Sequence, residues 1–223
     1  RPALATLYPL SSPPTLLLDI GATADPKPEY LLQFARMGEV YARKVLGIPN
    51  PRIGLLANGE EEEKGSMVMR DTFRLLKASD LNFVGNVEPK EVTKHVADVV
   101  VTDGFTGNIM VKTTEAVASF MARSLKQVFV EPTLSKVAMA LMLPGLILAL
   151  PGALLLKPAL GKLAHQLDYA EYGGALLLGV NGVVIVGHGR SNAKAIKNAV
   201  LRAREAVEAQ IIPTIKEGLQ AAS

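Results

Sequence analysis

Apolar and polar positions along the chain follow two alternating periods. Short continuous runs of aliphatic and β-branched residues are bounded by Gly, Pro, Asn or Asp. Longer stretches follow in which apolar residues recur every three or four positions. The runs Ala3 to Tyr8, Thr15 to Ile20, Arg52 to Ala57, Asn82 to Gly85, Asp98 to Thr102, Ala175 to Val180 and Val183 to Val186 read as strands. Helical spacing covers Pro28 to Leu46, Met67 to Lys77, Pro89 to His95, a segment from Asn108 to about Val130, and another starting near Ala193. In the first of these the stripe is Leu31, Phe34, Gly38, Tyr41 and Val45, with Gly47 as C-cap and Pro49 as stop. Strands alternating with helices predict an α/β fold with a largely parallel sheet flanked by helices.

Val99, Val100 and Val101 form the run that is apolar on both faces, as a parallel strand covered by helices must be. It opens into Asp103-Gly104-Phe105-Thr106-Gly107-Asn108, and beyond the turn Met110, Val117, Phe120, Met121, Leu125 and Val128 recur at helical spacing. A strand handing over to a helix N-terminus presents backbone N–H groups and the positive end of the helix dipole, which favour an anion. Gly104 and Gly107 let the backbone approach a ligand, and Thr106 or Asn108 would serve as N-cap. The alternative is an ordinary capped turn.

The pattern repeats near the end of the chain. Val183 to Val186 reads as a buried strand after an Asn181-Gly182 turn, and it opens into Gly187-His188-Gly189-Arg190-Ser191-Asn192 and a helix. There Ile196, Val200, Ala203 and Val207 make the apolar face, and Arg190, Lys194, Lys197 and Arg204 a basic one. His188, Gly189, Arg190 and Ser191 are candidates for binding an anion. A basic face is ordinarily solvated, and it also suits an acidic protein or anionic lipid. The acidic run Glu60 to Glu63 precedes Lys64 and Gly65; it reads as a solvated loop, or as a loop at the same sheet edge as Asp103 with Lys64 facing an anion.

One block departs from this alternation. Between Lys136 and Lys157 no residue is charged, and two Pro-Gly pairs break it into short apolar helical pieces. Leu141, Leu143, Leu146, Ile147, Leu150 and Leu154 are its large apolar residues, expected to meet a second subunit or a membrane surface without spanning the bilayer. The expected organisation is a first α/β part over 1–133, an apolar helical hairpin inserted at 134–166, and a second α/β part over 167–223.

Composition narrows the chemistry. With 49% apolar residues a sizeable core is expected, whereas a net charge of +3, few aromatics and no tryptophan argue against a nucleic-acid surface. The absence of cysteine excludes disulfides, thiolate metal sites and an acyl-cysteine intermediate, and it suits a cytosolic protein. His95, His165 and His188 lack metal-ligand spacing, so no metal is expected. No signal-peptide pattern opens the sequence. Neither a dinucleotide fingerprint nor a phosphate-binding P-loop is present.

Leu18-Asp19-Ile20-Gly21-Ala22, Gln33-Phe34-Ala35-Arg36-Met37-Gly38, Gly59 to Gly65, Asp103 to Asn108, Glu171-Tyr172-Gly173-Gly174 and Gly187-His188-Gly189 stand in an order that resembles the bacterial phosphate acyltransferase (PlsX) family of fatty acid and phospholipid synthesis proteins. The resemblance covers nearly the whole chain. Leu176 stands where that family has proline, and Arg190 where it often has serine. The family begins with a further α/β region, so the resemblance implies that this chain corresponds to the C-terminal majority of the enzyme. It implies a fold similar to isocitrate and isopropylmalate dehydrogenases and no cofactor. The implied substrates are an acyl carrier protein thioester and inorganic phosphate, giving acyl phosphate. It further implies a homodimer, cytoplasmic and peripherally associated with membrane through the apolar hairpin. The site expected from the motifs places phosphate on Gly104, Thr106, Gly107 and Asn108, helped by Lys64 or Arg190. Asp103 orients a donor, and His188 assists the oxyanion or the leaving thiolate. Competing readings are a CoA-dependent phosphotransacetylase or a nicotinamide-dependent dehydrogenase of the same fold, and a non-catalytic membrane-docking or dimerisation fragment.

Overall fold

The structure is a computed structural model that describes residues 1–130, 145, 157–158, 171 and 173–220. Along those residues run β1 (Ala3–Tyr8), β2 (Thr15–Leu18), α1 (Pro28–Lys44), β3 (Ile53–Leu56), α2 (Met67–Lys77), β4 (Phe83–Val87), α3 (Pro89–Val92), β5 (Val99–Val101), α4 (Gly104–Val130), β6 (Ala175–Leu178), β7 (Ile185–Val186), α5 (Ala193–Glu208) and α6 (Ile211–Gln220). Chain contacts divide the protein into one unit of Arg1–Ile109 with Leu167–Ser223 and another of Met110–Gln166. The expected hairpin, with Leu141, Leu143, Leu146, Ile147, Leu150 and Leu154, lies outside the described residues.

The first unit holds a seven-stranded sheet in the order β4-β3-β5-β2-β1-β6-β7. β4, β3, β5 and β2 pair in parallel. β1 joins β2 antiparallel, because a connection as short as Pro9 to Pro14 permits only a hairpin. Ser11 ties that turn, its hydroxyl donating to Tyr8 O and accepting from Thr15 N–H. β6 pairs antiparallel with β1 and so runs with β2; β7 folds back antiparallel on β6. The result is an α/β fold on a mixed, mostly parallel sheet.

The core forms where the two periodicities meet. Leu31, Phe34, Met37 and Tyr41 of α1 pack with Leu16 and Leu18 of β2, Ile53 and Leu55 of β3, and Val99 and Val101 of β5. Gly38 lets α1 come down on the sheet: a Cβ there would lie 2.6 Å from Val99 Cγ1 and 2.7 Å from Leu18 Cδ1. α1 ends earlier than expected: its last residue is Lys44 and its C-cap is Val45, whose N–H bonds Tyr41 O, while Gly47 takes a positive φ of 70° beyond the cap and Ile48 N–H reaches back to Ala42 O.

Three further expectations change. α4 begins at Gly104, not beyond Asn108, because Asp103 caps it: the Asp103 carboxylate accepts from Thr106 N–H and Thr106 O–H, both at 2.7 Å. The expected buried strand at Val183 to Val186 is a two-residue edge strand, with Val184 and Val186 more than two-fifths exposed, since β6 is its sole neighbour in the sheet among the described residues. The expected apolar face of α5 points outward. Ile196, Val200 and Val207 are exposed, while the small residues Ala195 and Ala206 are buried. Gly173 explains the choice of face: a Cβ there would come 2.3 Å from Ala199 N, so α5 sits tightly on that glycine.

At the amino edge of the parallel strands, Asp98 collects donors. It accepts from Arg52 N–H at 2.7 Å, Arg52 Nε at 3.1 Å and Arg52 Nη2 at 3.0 Å, and His95 Nε2 lies 2.9 Å away. Thr15 Oγ1 lies 3.1 Å from His95 Nδ1 and bonds Ala97 O, so the starts of β2, β3 and β5 are laced together.

Candidate active site

In an open parallel sheet, ligands bind beyond the carboxyl ends of the strands. β2, β3 and β5 are adjacent and parallel, so their exits share one edge. β5 leads into Asp103 and the first turn of α4, β2 into Asp19 to Thr23, and β3 into Asn58 to Gly65.

The first two exits are locked together. The side chain of Asp19 is buried and its carboxylate accepts four backbone N–H groups: Leu4 and Gly21 at 3.2 Å, Ala22 and Thr23 at 2.7 Å. The loop so formed presents Thr23 O to Gly104 N–H at 2.8 Å. Both glycines of the α4 turn are required by this contact. A Cβ on Gly107 would stand 2.1 Å from Asp19 O, and one on Gly104 2.8 Å from Thr23 O and 3.0 Å from Asp19 Oδ2. Asn108 is exposed beside Gly21. Thr106 N–H and its hydroxyl are engaged by Asp103, which leaves Asn108 as the exposed amide of the turn.

Lys64 belongs to the β3 exit. Its side chain folds over Gly59, and its N–H bonds Glu61 O. In the acidic run Glu62 pairs with Lys77 at 2.8 Å, Glu61 O also accepts from Asn86 Nδ2, and the Glu61 carboxylate lies over Gly59 beside the Lys64 stem. Among the described residues no carboxylate pairs with the exposed Lys64 ammonium. Lys64, Asp103, Gly104, Thr106, Gly107 and Asn108 thus share one sheet edge.

His188, Gly189, Arg190 and Ser191 do not join them within the chain. β7 runs opposite to β6, and hence opposite to β2 and β5, so it leads into Gly187 and His188 toward the edge where β2 and β5 begin. There His188 Nδ1 accepts from Arg190 N–H at 3.1 Å, Ser191 N–H bonds His188 O, and Asn192 caps α5 through Ala195 N–H. Ser191 Oγ is buried and has no hydrogen-bond partner among the described residues. Asp19 is the residue that spacing alone did not single out as part of the site. Its signal was an acidic residue directly after an apolar strand and two positions before glycine.

The sequence matches the family described as "Fatty acid synthesis protein" over residues 1–214. The chain belongs to that family. Among relatives of this family, the phosphate acyltransferase of Geobacillus sp. (strain WCH70) is 49% identical over 99% of this chain and 63% of its own length. Those of Desulfitobacterium hafniense (strain DSM 10664 / DCB-2) and Helicobacter pylori (strain J99 / ATCC 700824) are 46% and 47% identical, over 98% and 99% of this chain and 62% and 61% of theirs. The chain therefore spans just over three-fifths of the length of these curated relatives. A crystal structure of a branched-chain phosphotransacylase from Enterococcus faecalis V583 is similar at a TM-score of 0.48 and 16% identity, covering 92% of this chain and 64% of that one.

Proposed function

We propose that this chain forms the phosphate-binding part of an acyltransferase that moves a fatty acyl group from an acyl carrier protein thioester to inorganic phosphate. The observation that carries this reading is the shared carboxyl edge: a lysine with no ion-pair partner among the described residues, an exposed amide and a helix N-terminus, in a chain whose relatives are named phosphate acyltransferases. Phosphate is the nucleophile. One of its oxygens attacks the thioester carbonyl, the C–O bond forms, the tetrahedral oxyanion collapses, the C–S bond breaks, and the thiolate leaves and takes a proton. Lys64 supplies the positive charge, and Asn108 with the α4 turn at Gly104 and Gly107 orients the dianion. Asp103 holds Thr106 and touches no phosphate, since two anions repel. His188 and Arg190 stand outside this edge in the single chain, which leaves oxyanion and thiolate assistance to other groups.

The first experiment measures release of carrier-protein thiol from long-chain acyl carrier protein, with and without phosphate. Phosphate-dependent release that falls at least tenfold in Lys64→Ala and Asn108→Ala is expected. Release that ignores phosphate, or that both variants leave unchanged, overturns the reading. Release from acyl-CoA but not from the carrier-protein thioester would assign a phosphotransacetylase instead.

The same proposal extends to assembly and location: a cytoplasmic homodimer of dehydrogenase-like fold, docked to membrane through the apolar hairpin. α5 leaves the stripe Ile196, Val200 and Val207 exposed, and the proposal assigns self-association to it. Val200→Asp is expected to shift the protein from dimer to monomer in size-exclusion light scattering without lowering Tm. Aspartates at Leu146 and Leu150 are expected to abolish flotation with anionic vesicles while circular dichroism stays unchanged.

A further inference from the structure

The geometry points to Asp19 as the positioning residue that sets the first turn of α4 for phosphate, an inference that rests on the reading of that turn as the phosphate site. A carboxylate taken out of water is costly unless its oxygens are bonded, and here the bonds come from main chain: Leu4, Gly21, Ala22 and Thr23 N–H groups surround it. No lysine, arginine or histidine pairs with it among the described residues. Asp19 itself holds a positive φ of 21°, a conformation that side-chain-bearing residues rarely adopt, and the ring of amides keeps it there.

What that ring builds is the floor of the site. It curls residues 20–23 so that Thr23 O meets the N–H of Gly104, the first residue of α4. Asp19 O lies directly under Gly107, and Asp19 Oδ2 under Gly104. The α4 turn therefore rests on Asp19 at two points one helical turn apart. Its height and tilt over the sheet edge follow from the Asp19 backbone and carboxylate. Gly21, turned by the same carboxylate, stands beside Asn108: a Cβ on it would lie 3.9 Å from Asn108 Cβ. An amide in place of the carboxylate would set an NH2 against N–H donors and release the loop from one side.

The test uses phosphate-dependent thiol release by the chain, with KM measured separately for phosphate and for the acyl carrier protein thioester. Asp19→Asn is expected to raise KM for phosphate about tenfold and to leave KM for the thioester within twofold. Gly104→Ala presses on Thr23 O and Asp19 Oδ2 from the helix side, and it is expected to give the same selective rise. Asp98→Asn is the control, removing part of a comparable set of bonds at the opposite edge. It is expected to lower Tm and leave the phosphate KM unchanged. If Asp19→Asn and Gly104→Ala lower Tm while keeping a wild-type phosphate KM, as Asp98→Asn should, Asp19 is merely structural and the inference is overturned. Should Asp19→Asn not fold, Gly104→Ala decides alone. A wild-type chain whose thiol release ignores phosphate would instead remove the phosphate reading and this inference with it.

Discussion

Gly107→Ala is expected to abolish phosphate-dependent turnover and to lower Tm by about 10 °C. The added methyl would meet Asp19 O at 2.1 Å and Thr102 Cγ2 at 2.8 Å. A flexible side chain could retreat from such a contact, but Asp19 O belongs to a backbone held by four hydrogen bonds to its own carboxylate. The turn of α4 must lift instead, carrying Asn108 with it. Forcing one methyl into a closed contact costs about 1–3 kcal/mol and sometimes more. For a chain of this size roughly 3 kcal/mol corresponds to the stated shift, at about 2–4 °C per kcal/mol. Calorimetry and the thiol-release assay check both halves of the result, and a variant with wild-type Tm and turnover would refute the packing argument.

The second large effect is at the other edge of the sheet. Asp98→Ala leaves the N–H of Arg52 and the Nε2 of His95 without their acceptor, and a lost acceptor for buried donors costs about 1–3 kcal/mol each. The total stays near 3 kcal/mol, because the Arg52 side chain is 41% exposed and can turn to water. The same carboxyl gives the fold an acid-sensitive term. Burial pushes Asp98 up; hydrogen bonds from the Arg52 side chain and backbone, with the charges of Arg52 and His95, outweigh it and hold the carboxyl below its usual value. A depressed folded value means stability that is complete above the ordinary aspartate range, about pH 4, and lost as pH falls through the lower folded value. Chemical denaturation between pH 6 and pH 2.5 should show that loss in the wild type and a flatter acid limb in Asp98→Asn.

Much of the fold could be read from residue pattern because its elements are locally determined. β1 and α2 begin and end where their apolar periods and flanking turns say. The errors arose where distant chain decides. Gly104 and Gly107 look like turn residues, yet they lie inside a helix, where close approach to Asp19 and Thr23 requires them. Periodicity marked Ile196, Val200 and Val207 as one face of α5, but a period says which residues share a face and not what covers it. The sharpest case is His188. Its strand, glycine turn and helix start look like those of Asp103 to Asn108. The Asn181-Gly182 hairpin reverses β7, and the similar motif therefore opens on the other side of the sheet. The exits of β3 and β5 needed no such information, since parallel neighbours deliver their loops to one edge.

The place of β1 in the sheet has a consequence for how the protein is made. β1 is the first strand of this sequence, yet it lies between β2 and β6, and its outer side pairs with Ala175 to Leu178. As the chain leaves the ribosome, β1 and β2 can form their hairpin at once, and β3, β4 and β5 can add to β2. The far side of β1 meets its partner strand only when residues more than 160 positions later emerge. Closure is a long-range step, slow by loop entropy, and during that interval the growing chain carries a strand edge able to pair with a neighbour on the same message.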